Sequence, residues 1–179
     1  MFKRSRRSES DSTKGRGRAV QPPDLVVQGL RDRLLGLTSR EIRATPTAML
    51  PRVWGVVMDT GRPAGLVTLG AMADGSASLF QGNGWGVQIS ASSLPGGSVA
   101  LGTILATAET CLVRLTPVAG HHLPEIGKVR IVVRTYDGDL ATDAVEDDLG
   151  YGRHALSTLF HAAQGLTTLL HEKAKPLKQ

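Results

Sequence analysis

Residues 128–136 alternate cleanly, with Val129, Ile131 and Val133 pointing one way and Arg130 and Arg134 the other. That two-residue period belongs to a strand with one face in a core. Asp137-Gly138 follows directly, and 140–145 reads as a weaker returning strand. A second hairpin signal, Asp74-Gly75, separates 66–72 from 77–81 and predicts a type I′ turn, with positive φ at both central residues. Upstream, 52–59 is a β-rich run closed by Thr60-Gly61-Arg62-Pro63. Hairpin-linked strands pair antiparallel, so the chain must build an antiparallel sheet and bury at least one face of it.

Three helical segments supply the cover. Asp24 suits the N-cap of a helix running to about Arg43, with Val27, Leu30, Leu34 and Leu37 at helical spacing and Gly36 weakening or splitting it. Ser98 can cap a second helix with an apolar stripe of Leu101, Leu105, Ala108, Leu112 and Leu115. The last spans 153–172 and turns Leu156, Leu159, Phe160, Ala163, Leu166 and Leu170 inward. The expected class is α+β: about three helices on a mainly antiparallel sheet of five strands, six if 87–90 forms another, in the order α-β-β-β-α-β-β-α. In element types and size this resembles the profilin-like, roadblock and longin group of small domains. Roadblock domains, however, place their second helix after two strands, and here three precede it. No site residues follow from that resemblance.

The chain's charge is unevenly placed. Residues 1–20 hold seven of its 21 basic groups and two of its 16 acids, which accounts for the whole net charge of +5 and leaves 14 of each sign beyond. Residues 1–21, almost without apolar side chains, are expected to be a disordered basic tail; 22–174 form one domain and 175–179 a short basic C-terminal tail. No apolar run is long enough for a membrane-spanning helix, and the basic start leads into polar residues where a secretion signal needs an apolar stretch. The single cysteine, Cys111, excludes an internal disulfide and a cysteine-based zinc cage. A cytoplasmic address is expected.

Several features invite chemistry. Gly82, Asn83, Gly84, Trp85 and Gly86 form a loop where a backbone can approach a ligand and Trp85 can stack on a ring. The dinucleotide and P-loop spacings both fail there, and a bulge or tight turn with Trp85 in the core is the plainer reading. His121-His122 lies in a loop near Glu125 and names no further metal ligands. His154, Ser157, His161, Gln164, Thr168 and His171 recur at three and four residues as a neutral polar stripe, suited to a solvated face or a partner surface. His154 and His161 lie roughly 10 Å apart along a helix, too far to share one metal ion. Asp137–Asp148 lacks the glycine and fifth ligand of a calcium loop. No nucleophile motif is present, and no cofactor or metal is expected. Arg4, Arg6, Arg7, Arg16 and Arg18 suit phosphate or other acidic surfaces.

These observations favour a non-enzymatic interaction or assembly module with a basic tail. It is expected to form a homodimer, through an outer strand such as 52–59 or 128–136 or through the stripe from His154 to His171. A small ligand-binding or enzymatic domain, its pocket near Gly82–Gly86 and His121-His122, is the alternative. Sequence-nonspecific nucleic-acid binding through residues 1–20 is a third reading.

Overall fold

The computed structural model describes residues 25–173, so both expected tails lie outside the described residues. The chain runs through α1 (Leu25–Gly36), β1 (Val53–Arg62), β2 (Gly65–Met72), β3 (Ser76–Gln81), β4 (Gly86–Ser90) and α2 (Gly97–Cys111). It continues with β5 (Thr116–Pro117), β6 (Lys128–Thr135), β7 (Gly138–Val145), α3 (Glu146–Gly150) and α4 (Ser157–Lys173). The strands form one antiparallel sheet in the order β4-β3-β2-β1-β6-β7-β5. The class is therefore α+β, with seven strands and four α-helices among the described residues, against five or six strands and about three helices expected. Short β4 and the two-residue β5 make up the difference, and the acidic run before the last helix coils as α3.

Both faces of the sheet are covered. Val56, Met58, Leu69, Leu79, Ile131 and Val133 meet α2 and α4 in the larger core. Every leucine of the expected stripes on those two helices is buried. The opposite face, with Trp54, Val57, Met72, Phe80 and Val132, takes α1, whose Val27, Leu34 and Leu35 close a second core. Consequently β1 is buried at every position but its last, a pattern of two-sided cover in which alternation disappears. A register shift between Val53 and Gly55 lets Trp54 reach the α1 side.

Three local expectations are corrected. Only Gly75, at φ 87°, is left-handed in the β2–β3 loop, and its N–H bonds Met72 O at 3.0 Å. Asp74 is not left-handed; its carboxylate instead accepts the N–H and hydroxyl of Ser76 at 2.9 and 2.6 Å. The connection is thus a three-residue loop and not a type I′ turn. The first helix stops at Gly36 because the next residues turn back, with Ala44 N–H on Ser39 O at 2.8 Å. Finally, 52–59 and 128–136 are not outer strands. As β1 and β6 they pair with each other at the centre of the sheet.

Candidate functional site

Among the described residues β4 is the terminal strand on one side, bonded only to β3. The ladder's phase follows from its ends, where Gln81 N–H bonds Trp85 O at 2.7 Å and Ala91 N–H bonds Gly75 O at 2.8 Å. Counting inward by two, Val87 and Ile89 spend their backbone groups on β3, and those of Gly86, Gln88 and Ser90 point outward. This edge carries no proline and no charge. Val87 and Ile89 are half-buried on the α2–α4 face, whereas Gln88 and Ser90 are exposed on the other. The far side of the sheet differs. There β5 covers only Leu140 and Ala141, and Pro117 has no N–H to offer. Val118 N–H on Asp139 O at 3.0 Å extends that cover by one bond.

The glycine-rich loop joins β3 to this edge. Gly84 is left-handed at φ 83°, its N–H on Gln81 O at 3.0 Å, and Trp85 N–H bonds the Asn83 side chain at 3.0 Å. A Cβ on Gly82 would lie 2.9 Å from Gly65 Cα and Leu66 N, so its close approach is to the chain's own backbone. Trp85 packs partly on the larger core and stacks on His171 of α4 at 4.9 Å between ring centroids. His171 Nδ1 lies 3.2 Å from Thr167 O and Nε2 2.5 Å from Gln81 Nε2. A carbonyl only accepts, so Nδ1 carries the proton and Nε2 accepts from the glutamine amide. Beside this clasp a cavity of about 260 Å³ opens between α4 and the sheet, lined by Met58, Thr60, Arg62, Val67, Leu69, Gln81, Gln164, Thr167 and His171.

His121-His122 lies on the opposite face of the sheet, and the loop and the histidine pair line different clefts. The strap holding the histidines, 115–127, is fastened by arginines. Arg31 Nη2 donates to His121 O and His122 O at 3.1 and 3.3 Å, and Arg130 Nη2 to Gly120 O at 3.2 Å. Arg134 donates to Leu34 O and Leu37 O at 3.2 and 2.8 Å, capping the end of α1, and its guanidinium lies 4.5 Å over Trp54. Arg130 and Arg134 are 3% and 6% exposed. Their partners are Asp143 at 2.8 Å and Asp139 at 2.6 Å, both on β7. His121 Nε2 meets Asp139 at 3.1 Å, while its Nδ1 is buried with no partner among the described residues. Burial pushes the His121 pKa down, and the charges of Arg134, Arg31 and Arg130 add to that against the pull of Asp139. His122 Nε2 lies 2.9 Å from Arg130 Nη1 and 3.1 Å from Asp143 Oδ2, against that ion pair.

The stripe of the last helix divides by role. His154 precedes α4, and its Nδ1 accepts Leu156 N–H at 3.2 Å in the manner of an N-cap. His161 Nε2 donates to Gly150 O at 3.0 Å, tying α4 to α3. Ser157 is buried and Gln164 lines the cavity, so the six residues do not make one exposed face. Arg4, Arg6, Arg7, Arg16 and Arg18 lie outside the described residues. Sequence reasoning missed β4 as an edge, whose signal was the neutral alternation of 86–90, and read Thr60, Gly61 and Arg62 as a turn, whereas β1 continues through Arg62 and Thr60 lines the cavity. No protein-family model, curated protein or solved structure matches this chain.

Proposed function

We propose that this domain is a protein-interaction module that associates by strand addition at β4, pairing with a second copy of itself. One observation carries the reading: Gln88 and Ser90 are exposed on an uncharged, proline-free edge with outward backbone groups, Gly86 at the start of the strand being buried. Two β4 strands set antiparallel about a two-fold axis at Gln88 place Gln88 opposite Gln88 and Gly86 opposite Ser90. The two Gln88 residues then exchange both backbone hydrogen bonds across the axis, while Ser90 O already accepts the Ser93 hydroxyl at 2.7 Å. On the α2–α4 face, Val87 meets Ile89 of the second copy, an apolar cross-strand pair. Such a contact is isologous, the geometry of the commonest oligomers, and it extends the sheet without reshaping either domain. The buried thiol of Cys111 suits a reducing compartment, so the setting we propose is cytoplasmic.

Light scattering at tens of micromolar tests this. The wild-type chain should approach twice its 19.0 kDa mass as concentration rises. Gln88→Lys places two like charges on the axis and should leave a monomer with an unchanged melting temperature. A wild-type mass fixed at 19.0 kDa over that range, or a Gln88→Lys dimer as tight as wild type, overturns the reading.

A further inference from the structure

The strap 115–127 is anchored at both ends and held between them by ionisable side chains. Val118 N–H bonds Asp139 O at 3.0 Å, and Gly127 N–H bonds Gly61 O at 2.9 Å. Between these anchors Arg31 and Arg130 donate to the carbonyls of Gly120, His121 and His122. The side chain of His121 lies in a charge cluster with no carboxylate to spare. Asp59 of β1 is taken by Arg31 of α1 at 2.7 Å, and the exposed Asp32 lies 3.5 Å from the same guanidinium. Arg134 of β6 pairs with Asp139 of β7 at 2.6 Å. Arg130 pairs with Asp143 at 2.8 Å, with His122 against that pair. Two buried polar atoms lack a partner among the described residues, His121 Nδ1 and Arg130 Nε, and both belong to this fastening.

Asp139 Oδ2, 3.1 Å from His121 Nε2, can only accept, so the neutral ring carries its proton on Nε2 and leaves Nδ1 as a bare acceptor. A second proton has to sit on Nδ1, buried and without an acceptor. It also adds a positive charge beside three guanidiniums whose carboxylates are already engaged. We propose that this strap is a pH-operated latch: protonation of His121 releases residues 119–123 from Arg31 and Arg130 while the two anchors hold. The His121 side chain is 23% exposed, so a small outward swing hydrates both ring nitrogens. Burial holds the pKa of the closed strap's His121 below 6.5, with the charges of Arg134, Arg31 and Arg130 set against that of Asp139. In the open strap the ring returns toward 6.5. The closed form is therefore favoured at neutral pH. As pH falls through that window the open form gains, by up to about tenfold per pH unit for one proton.

The test uses the whole chain and NMR relaxation dispersion of its backbone amides from about pH 7.5 to about pH 5.5, which reads μs–ms exchange and the population of the minor form. The amides of Gly120, His121 and His122 should exchange with a minor form whose population rises by up to about tenfold per pH unit, while those of α4 stay unchanged. His121→Gln keeps a donor for Asp139 but takes up no proton, and it should abolish the pH response. His122→Gln should retain it. In the same wild-type samples the His121 ring carbons should titrate below pH 6.5. The proposal is overturned if the minor population is the same at both ends of the range, if the pH response survives in His121→Gln or vanishes in His122→Gln, or if α4 opens with the strap. A His121 ring that titrates at or above pH 6.5 overturns it without any substitution.

Discussion

Replacing Arg31 by methionine tests whether one buried ion pair fastens α1 to the sheet. Asp59, at the centre of β1, is fully buried at 0% exposure, and Arg31 of α1 is 3% exposed. The guanidinium reaches Asp59 Oδ2 through Nε at 2.8 Å and Nη2 at 2.7 Å, while Thr68 Oγ1 donates to Oδ1 at 2.6 Å. Methionine retains most of the apolar stem but leaves the carboxylate with the threonine alone, and it frees the strap carbonyls of His121 and His122. Breaking one side of a buried pair costs about 3–5 kcal/mol. At roughly 2–4 °C per kcal/mol for a domain of this size, the melting temperature should fall by about 6–20 °C. Replacing both partners, Arg31→Met with Asp59→Leu, removes the stranded charge and should recover most of that loss. Urea unfolding of the four proteins in the cycle supplies the free energies. A single-variant loss below about 1 kcal/mol, or a double variant no better than the single, would refute the reasoning that an unpaired buried charge dominates.

Two further outcomes follow from the same packing. Burial acts to raise the Glu109 pKa, but the side chain of Arg52 and the backbone N–H groups of Val53 and Arg52 outweigh it and hold the carboxyl below its usual range. Glu109→Ala should therefore cost about 2–3 kcal/mol in urea unfolding at neutral pH, and that difference should shrink as acid protonates the folded carboxylate; a variant as stable as wild type contradicts it. For His121 the sign is opposite to that of a histidine stabilised by its charge. Its folded pKa is lowered, so the unfolded chain takes up a proton that the folded chain resists, and stability falls as pH drops below about 6.5. His121→Gln should flatten that part of the stability–pH curve, and an unchanged slope would remove His121 as its cause.

What the sequence determined by itself was local. A two-residue period needs only the strand's own geometry, so Val129, Ile131 and Val133 were legible as one face, and the leucines of α2 and α4 as theirs. Turn residues lay near the hairpins, although Thr60, Gly61 and Arg62, read as a turn, belong to β1, and φ at Asp74 depended on side-chain bonds that a dipeptide does not reveal. The tertiary structure decided the strand order. Pairing β1 with β6 joins segments far apart in the chain, and no local signal distinguishes a central strand from an edge when both read as apolar runs. It also decided the fate of Arg130 and Arg134, which alternate like solvent-facing residues and are nonetheless buried. Their burial depends on Asp139 and Asp143 lying opposite on β7 and on carbonyls that α1 and the strap deliver. The candidate sites were hidden for the same reason. An edge is defined by the strand that does not arrive, and the cavity beside Thr60 forms only where α4 lies across the sheet. Periodicity records which way a side chain points; what it meets there depends on long-range packing.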